Sequence, residues 1–363
     1  RARKGLNMTK PRTGVHSGFV RTVLGPIPVE DMGVTLMHEH ILLDTSSWWK
    51  RPCCASEIGF AERPLDITMI GDLRMNPFLN RDNCGLLDVN TAIEELGAFV
   101  EYGGRTVVDP TNLGIGRDPS ALQRVSRRTG LHIVMGAGFY LEASHPPYLK
   151  DMSVETIAEA IAVDCGVSED DPEVCAGIIG EIGISKDFTP AEEKTLRGAA
   201  RASRMSGAPL SVHLPGWERL AHRVLDVIEQ EGGDLRHTVL CHMNPSLYDA
   251  PYQHSLADRG AFLEYDMIGM DFFYADQQAQ SPSDEENALA ICKLVEAGYL
   301  NALLMSQDVF LKMMLTRYGG FGYGYILKHF VPRLKRHGLS QATIDHILVE
   351  NPRRVFSAEH RAR

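Results

Sequence analysis

Eight short apolar segments, at 34–40, 105–109, 132–139, 176–182, 209–213, 237–242, 261–266 and 302–308, punctuate this chain of 363 residues. Most are separated by a stretch of helical periodicity, at 88–102, 120–129, 154–163, 190–206, 217–230, 251–259 and 284–297, and two more at 325–337 and 341–356 close the chain. Strands that are short, β-branched and apolar on both faces belong to a parallel sheet covered by helices. Eight such units in about 250 to 330 residues match a (β/α)8 TIM barrel. A doubly wound open sheet is the competitor, but it more often has five or six strands and a Gly-x-Gly-x-x-Gly turn after the first. Here Gly177 and Gly180 lie inside a strand, and Gly319, Gly320 and Gly322 lie in a late loop, so none opens a helix as a phosphate cradle must.

Around that frame, residues 17–28 read as a short N-terminal hairpin with Gly25-Pro26 at its turn. Residues 43–87 form a long excursion between the first strand and the first helix, irregular in pattern, of the kind that is usually functional. The expected organisation is a leader or disordered stretch at 1–16, one barrel domain at 17–357 and a tail at 358–363. A formal charge of −10 argues against a nucleic-acid partner, which requires clustered Lys and Arg. Seven cysteines, at 53, 54, 84, 165, 175, 241 and 292, have neither a regular spacing nor a Cys-x-x-Cys, so neither a disulfide scaffold nor a zinc ribbon is indicated. With no run of 18 apolar residues and no apolar leader, the expectation is a cytoplasmic chain with no membrane partner.

In a barrel of this type catalytic groups gather at the C-terminal ends of the strands. The first segment, Val-Thr-Leu-Met-His-Glu-His, ends in His38 and His40, two residues apart and therefore on one face of a strand, with Glu39 pointing away. The second ends at Asp109, the third runs into Tyr140, the fourth holds Glu181, the fifth ends at His213, the sixth at His242, the seventh at Asp266 and the eighth at Asp308. Singly, each has an ordinary structural reading, such as a helix cap for His213 or Asp308, or a satisfied core histidine for His242. Jointly, four imidazoles and two carboxylates are too many for one tetrahedral ion and suit two. His38, His40 and Asp308 would hold one ion, His213 and His242 the other, and Glu181 would bridge them. Mixed His and carboxylate ligation favours Zn²⁺, with Mn²⁺, Co²⁺ and Fe²⁺ also compatible.

This order of ligands resembles the amidohydrolase superfamily and, within it, the phosphotriesterase family, including phosphotriesterase-related and phosphotriesterase homology proteins and lactonases. The strings Thr-Leu-Met-His-Glu-His, Ala-Gly-Ile-Ile-Gly-Glu-Ile-Gly, Ser-Val-His and Glu-Asn-Pro-Arg-Arg-Val-Phe carry the likeness over about 17–357. Many members bridge their metals with a carbamylated lysine on the fourth strand. That strand has no lysine here, the nearest being Lys186 beyond it, so Glu181 resembles the glutamate-bridged branch and no carbamylated lysine is expected. The resemblance implies hydrolysis by a metal-bridged hydroxide, with Asp308 as both ligand and base.

It implies a carboxylic ester or lactone as substrate. The alternatives are a phosphoester or organophosphate hydrolase, and a ligand-binding barrel without catalysis. Tyr140 matches the place where family lactonases set a tyrosine against the substrate, the other reading being a buried tyrosine at the barrel top. Substrate choice is expected in the loops after strands seven and eight, with Asp266, Lys312 and Arg317 as candidate contacts and the Gly- and aromatic-rich segment 310–325 as a mobile lid or an ordinary long loop. Trp48 and Trp49 of the excursion either cover the site or form a contact in a homodimer.

Overall fold

The computed structural model describes residues 18–167 and 173–357. Its core is a sheet of eight parallel strands, Thr35–Leu36, Thr106–Asp109, His132–Ala137, Ile178–Gly183, Leu210–His213, Thr238–Leu240, Phe262–Tyr265 and Leu303–Met305, paired in sequence order from the first to the eighth. Each coincides with a segment expected to be a strand. The covering helices begin where the side chains dictate. Val89–Glu101, Pro119–Thr129, Val154–Asp164, Pro190–Ser206 and Asp284–Glu296 each start after an Asp, Ser or Thr whose side-chain oxygen accepts a first-turn N–H. This is the (β/α)8 barrel.

Alternation along the strands divides the apolar residues in two. Val108, Val134, Ile178, Val239 and Leu304 fill the barrel interior, while Val107, Ile133, Ile179, Leu240 and Leu263 pack against the helices. The seam is unusual. Among the described residues no strand ladder joins the first and eighth strands. Asp308 N–H donates to the His38 carbonyl at 3.1 Å, and the His38 N–H donates to Ser306 Oγ at 3.0 Å. The Glu39 carboxylate completes the join: Oε1 accepts from the Ser306 hydroxyl and the Gln307 N–H, both at 2.8 Å, and Oε2 accepts from the Val309 N–H at 2.9 Å.

The N-terminal hairpin, Phe19–Thr22 with Gly25–Pro28, lies across the opposite end, where Val23 N–H donates to Ile133 O at 2.9 Å. Its turn is Val23-Leu24 and not Gly25-Pro26 as expected. The Thr22 hydroxyl, 2.7 Å from Gly25 O, closes that turn, and Gly25 opens the second strand with a φ of 117°. At Gly177 an added Cβ would lie 2.3 Å from Arg21 O, so the hairpin seats against the barrel only over a glycine.

One further expectation is corrected and another refined. The excursion is not irregular: Leu43–Asp44 pairs antiparallel with Gly85–Leu86, enclosing helices Ala55–Glu62 and Ile70–Met75. Those helices bury only Ala61 and Leu73 respectively, too few apolar positions to give a readable period. The closing helices are each interrupted by a π turn, Ile326–Phe330 before Val331–Arg336 and His346–Glu350 before Asn351–Phe356, with Pro332 and Pro352 just after. A proline cannot donate the intrahelical bond, and the wider turn accommodates it. The stretches expected at 1–16 and 358–363 lie outside the described residues.

The buried Asn351 side-chain amide donates to both Leu300 O and Leu303 O at 2.7 Å, tying the last helix to the eighth strand. Asn351→Ala removes the donor from two carbonyls and is expected to cost roughly 1–3 kcal/mol. Thermal unfolding of the variant is the check, and an unchanged midpoint refutes the role.

Candidate metal centre

His38, His40, Glu181, His213, His242 and Asp308 converge at the C-terminal ends of the strands, all of them buried except the half-buried His213. Alternation alone does not bring all of them in. Cys241 belongs to the interior cluster, so a regular strand would turn His242 outward. A φ of 58° at His242 turns that strand end inward, and Asp308, already on the inward face of Leu304 and Ser306, also has left-handed backbone with a φ of 48°. Left-handed backbone at a non-glycine residue costs about 1–3 kcal/mol and persists only where the surroundings hold it. Here they do: both Asp266 oxygens accept the His242 N–H at 3.0 Å, and Glu39 grips the amides on either side of Asp308. Glu181 is placed by a register shift between Ile179 and Ile182, with Gly180 at a φ of 138° where a Cβ would lie 2.3 Å from Ser211 O. The Asn112 amide donates to Glu181 O at 2.7 Å and fixes the bulge.

The Glu181 carboxylate faces all four imidazoles. Oε1 lies 3.3 Å from His40 Nε2, while Oε2 lies 3.2 Å from His213 Nδ1 and 3.5 Å from Nε2 of both His38 and His242. Asp308 Oδ1 stands 3.3 Å from His40 Nε2 and 3.6 Å from His38 Nε2. Ligand atoms come within reach of one ion in four sets: His38, His40 and Glu181; Glu181, His213 and His242; His38, His242 and Asp308; and, deeper in the barrel, His38, Cys241, Glu264 and Asp266. Glu181 is common to the first two, as a shared ligand must be. Outer partners orient the rings. His40 Nδ1 is 2.7 Å from Thr111 Oγ1 and His242 Nδ1 is 3.0 Å from Asp266 Oδ1, so each turns Nε2 to the centre.

The electrostatics ask for positive charge. Burial opposes ionisation of Glu181, yet the charge on His38 and bonds from His213 and His242 hold its carboxyl well below the usual range. Burial likewise disfavours the imidazolium forms, but Asp308 and Glu181 push His40 up to about 9, and Asp266 and Glu181 push His242 up to about 10. His213 moves the other way, lowered by burial and by the neighbouring His242. Both ring nitrogens of His38 and Oδ1 of Asp308 are buried without a hydrogen-bond partner. Orphaned donor atoms beside buried carboxylates, in a His and carboxylate set, fit divalent cations.

A cavity of about 650 Å³ opens over this centre. Tyr140 lines it, with its hydroxyl 3.3 Å from His213 Nδ1. The other three candidate contacts are not at its wall. Asp266 is fully buried behind His242 and acts on that ring. Lys312 pairs with Asp82 of the excursion at 2.5 Å, and Arg317 turns to Thr91 of the first helix at 3.1 Å. Segment 310–325 is no free lid: the buried Glu95 carboxylate accepts the Thr316 and Arg317 N–H groups at 2.9 Å, and the Tyr323 hydroxyl donates to His40 O at 2.7 Å. Asp109 is also structural, bonding the Ile41 and Thr111 amides. Sequence reasoning missed Glu39, Asn112 and Thr111. Of these only Thr111 left a trace, a hydroxyl two residues beyond the second strand's end.

The model of the phosphotriesterase family matches residues 18–356. The chain belongs to the phosphotriesterase family. Among its members, an N-acetyltaurine hydrolase from Tetraodon nigroviridis is 36% identical over 341 residues, 93% of this chain and 97% of that protein. A crystal structure of a resiniferatoxin-binding protein from Rhodobacter sphaeroides is 55% identical, covers 95% of this chain and 96% of its own, and superposes with a TM-score of 0.92. That of a lactonase from Listeria monocytogenes is 26% identical, covers 93% and 99%, and gives a TM-score of 0.76.

Two predictions follow from the geometry. Divalent cations must displace the protons that His40 and His242 retain up to about 9 and about 10, so Zn²⁺ binding at pH 7.5 is expected to release protons and to weaken as pH falls. Calorimetry in buffers of different ionisation enthalpy reads the release, and a buffer-independent heat refutes it. Glu39→Gln sets an amide donor against N–H groups at the seam. It is expected to cost roughly 1–3 kcal/mol and to loosen metal binding through Asp308, measured as melting temperature and metal content after dialysis.

Proposed function

We propose that this phosphotriesterase-family chain is a metal-dependent hydrolase of acyl bonds, in the first place of a carboxylic ester or lactone. The observation that carries the reading is Glu181 facing four imidazoles, with an unpartnered Asp308 oxygen beside them at the floor of an open cavity. His38, His40 and Asp308 would hold one divalent cation, His213 and His242 the other, and Glu181 would touch both. Such a pair, most simply zinc, supplies Lewis acidity towards the scissile carbonyl and a water made nucleophilic at neutral pH.

The chain's own groups do the rest. Asp308, buried yet lining the cavity, is held below the usual carboxylate range by His38, His40 and His242 against the effect of burial, and so is ready to accept a proton. It takes the proton of the attacking water and returns it to the leaving oxygen. Tyr140, fixed beside His213, offers a hydroxyl to a substrate oxygen and orients the acyl group. Glu39 and Asp266 hold the two left-handed strand ends so that the base and His242 keep their directions.

A second reading, hydrolysis of an N-acyl amide, is favoured by the N-acetyltaurine hydrolases among the relatives. An amine leaves less readily than an alkoxide, so this reading demands more of Asp308 as proton donor.

A panel of lactones, aryl esters, N-acyl amides and aryl phosphotriesters tests the assignment with zinc-replete protein. Turnover of esters or lactones supports it, and turnover confined to phosphotriesters, or none at all, overturns it. Asp308→Asn is expected to lower kcat/KM by at least ~10²- to 10⁴-fold, with removal of the metals by a chelator reproducing the loss.

A further inference from the structure

The cavity over the centre is walled on one side by aromatic rings drawn from four separate parts of the chain. Trp48 and Phe78, both from the excursion, stack with centroids 5.3 Å apart and planes at 12°. Phe78 meets Phe310, beyond the eighth strand, and Tyr274, beyond the seventh, both at 6.3 Å. Trp217, beyond the fifth strand, continues the row to Tyr274 at 5.2 Å. All five face the same cavity, on whose floor lie His40, Glu181 and Asp308. Such a belt presents π faces and edges to an occupant, and its return comes from burying planar apolar surface.

The ionic groups at the mouth point the same way. The exposed carboxylates of Glu142, Asp187 and Asp276 line the cavity, against two exposed cations, Lys50 and Lys186. Among the described residues no arginine lines it, so no planar fork is offered to a sulfonate or carboxylate. Glu192, deeper in the wall, is already spent on the Ser185 and Thr189 amides and the Ser185 hydroxyl. A volume of about 650 Å³ also far exceeds what an acetyl group on a two-carbon acid fills.

We infer that this chain acts on large, neutral, ring-bearing acyl compounds, aryl or polycyclic esters, lactones or amides, and discriminates against small anionic amides such as N-acetyltaurine. The inference rests on the acyl-hydrolase reading for its turnover and on the aromatic belt for its selectivity, and the two are tested separately.

Binding is measured first, on zinc-loaded Asp308→Asn, as quenching of tryptophan fluorescence by 2-naphthyl acetate, methyl acetate and N-acetyltaurine. The naphthyl ester is expected to bind at least tenfold more tightly than either small compound. Equal or tighter binding of N-acetyltaurine overturns the inference. Wild-type kcat/KM is then compared for the same three, with a preference of at least 100-fold for the naphthyl ester over N-acetyltaurine expected. Selective binding without turnover of any ester, lactone or amide sinks the hydrolase reading and leaves the binding preference standing. Turnover that favours N-acetyltaurine does the reverse. Trp217→Ala and, independently, Trp48→Leu are expected to shrink the naphthyl-to-methyl ratio by at least tenfold, chiefly through KM. If either variant fails to fold, as judged by melting and zinc content, the other decides, and an unmoved ratio in a folded variant refutes the role of the belt.

Discussion

A single carboxylate closes this barrel. Glu39 receives three hydrogen bonds from residues 306 to 309, where, among the described residues, the single backbone bond from Asp308 N–H to His38 O stands in place of a strand ladder between the first and last strands. The same three bonds bracket Asp308, whose left-handed backbone would otherwise relax towards an ordinary strand end. Burial pushes the Glu39 carboxyl up to about 8 although its bonds to Val309, Gln307 and Ser306 pull the other way, a sign of how far it has been taken from water. The candidate base and the seam of the barrel thus depend on one group, which sits between two metal-binding candidates without facing the centre.

The eight strands were legible because each is a compact apolar run that ends in a polar residue, and most of the helices between them carry their own caps. Five of the eight strand-end positions hold a candidate ligand for the same reason: parallel strands share one direction, so their last residues meet at one rim. What that rule does not contain is orientation. Asp266 ends a strand as His213 does, but its oxygens turn to the backbone and ring of His242 and never reach the cavity. Glu39 was read as pointing away from the centre and does; the sequence carries no sign that residues 306–309 wait on that side. Lys312 and Arg317 lie in a loop whose anchor, Glu95, is more than two hundred residues distant, so neither could be oriented from local pattern.

The cavity wall was hidden for a related reason. Trp48, Phe78, Trp217, Tyr274 and Phe310 share no spacing, and only the folding of the excursion against the loops after strands five, seven and eight makes a surface of them. An apolar wall beside buried charges has a second effect. The low polarisability of the rings beside the floor lowers the local dielectric, which would strengthen each interaction of Glu181 and Asp308 with a bound cation. The proposed binding selectivity and the electrostatic strength of the floor would in this way draw on the same rings.

The candidate ligands begin at residue 38 and finish at residue 308, and this spread governs timing. A chain emerging from the ribosome displays the first two histidines early, but of their two carboxylate neighbours Glu181 comes some 140 residues later and Asp308 only after some 270. Until Glu39 captures the last strand there is no closed rim, so a nascent chain offers loose imidazoles in place of a finished chelate. Any loading with cation would therefore follow synthesis, once the two ends of the barrel have met.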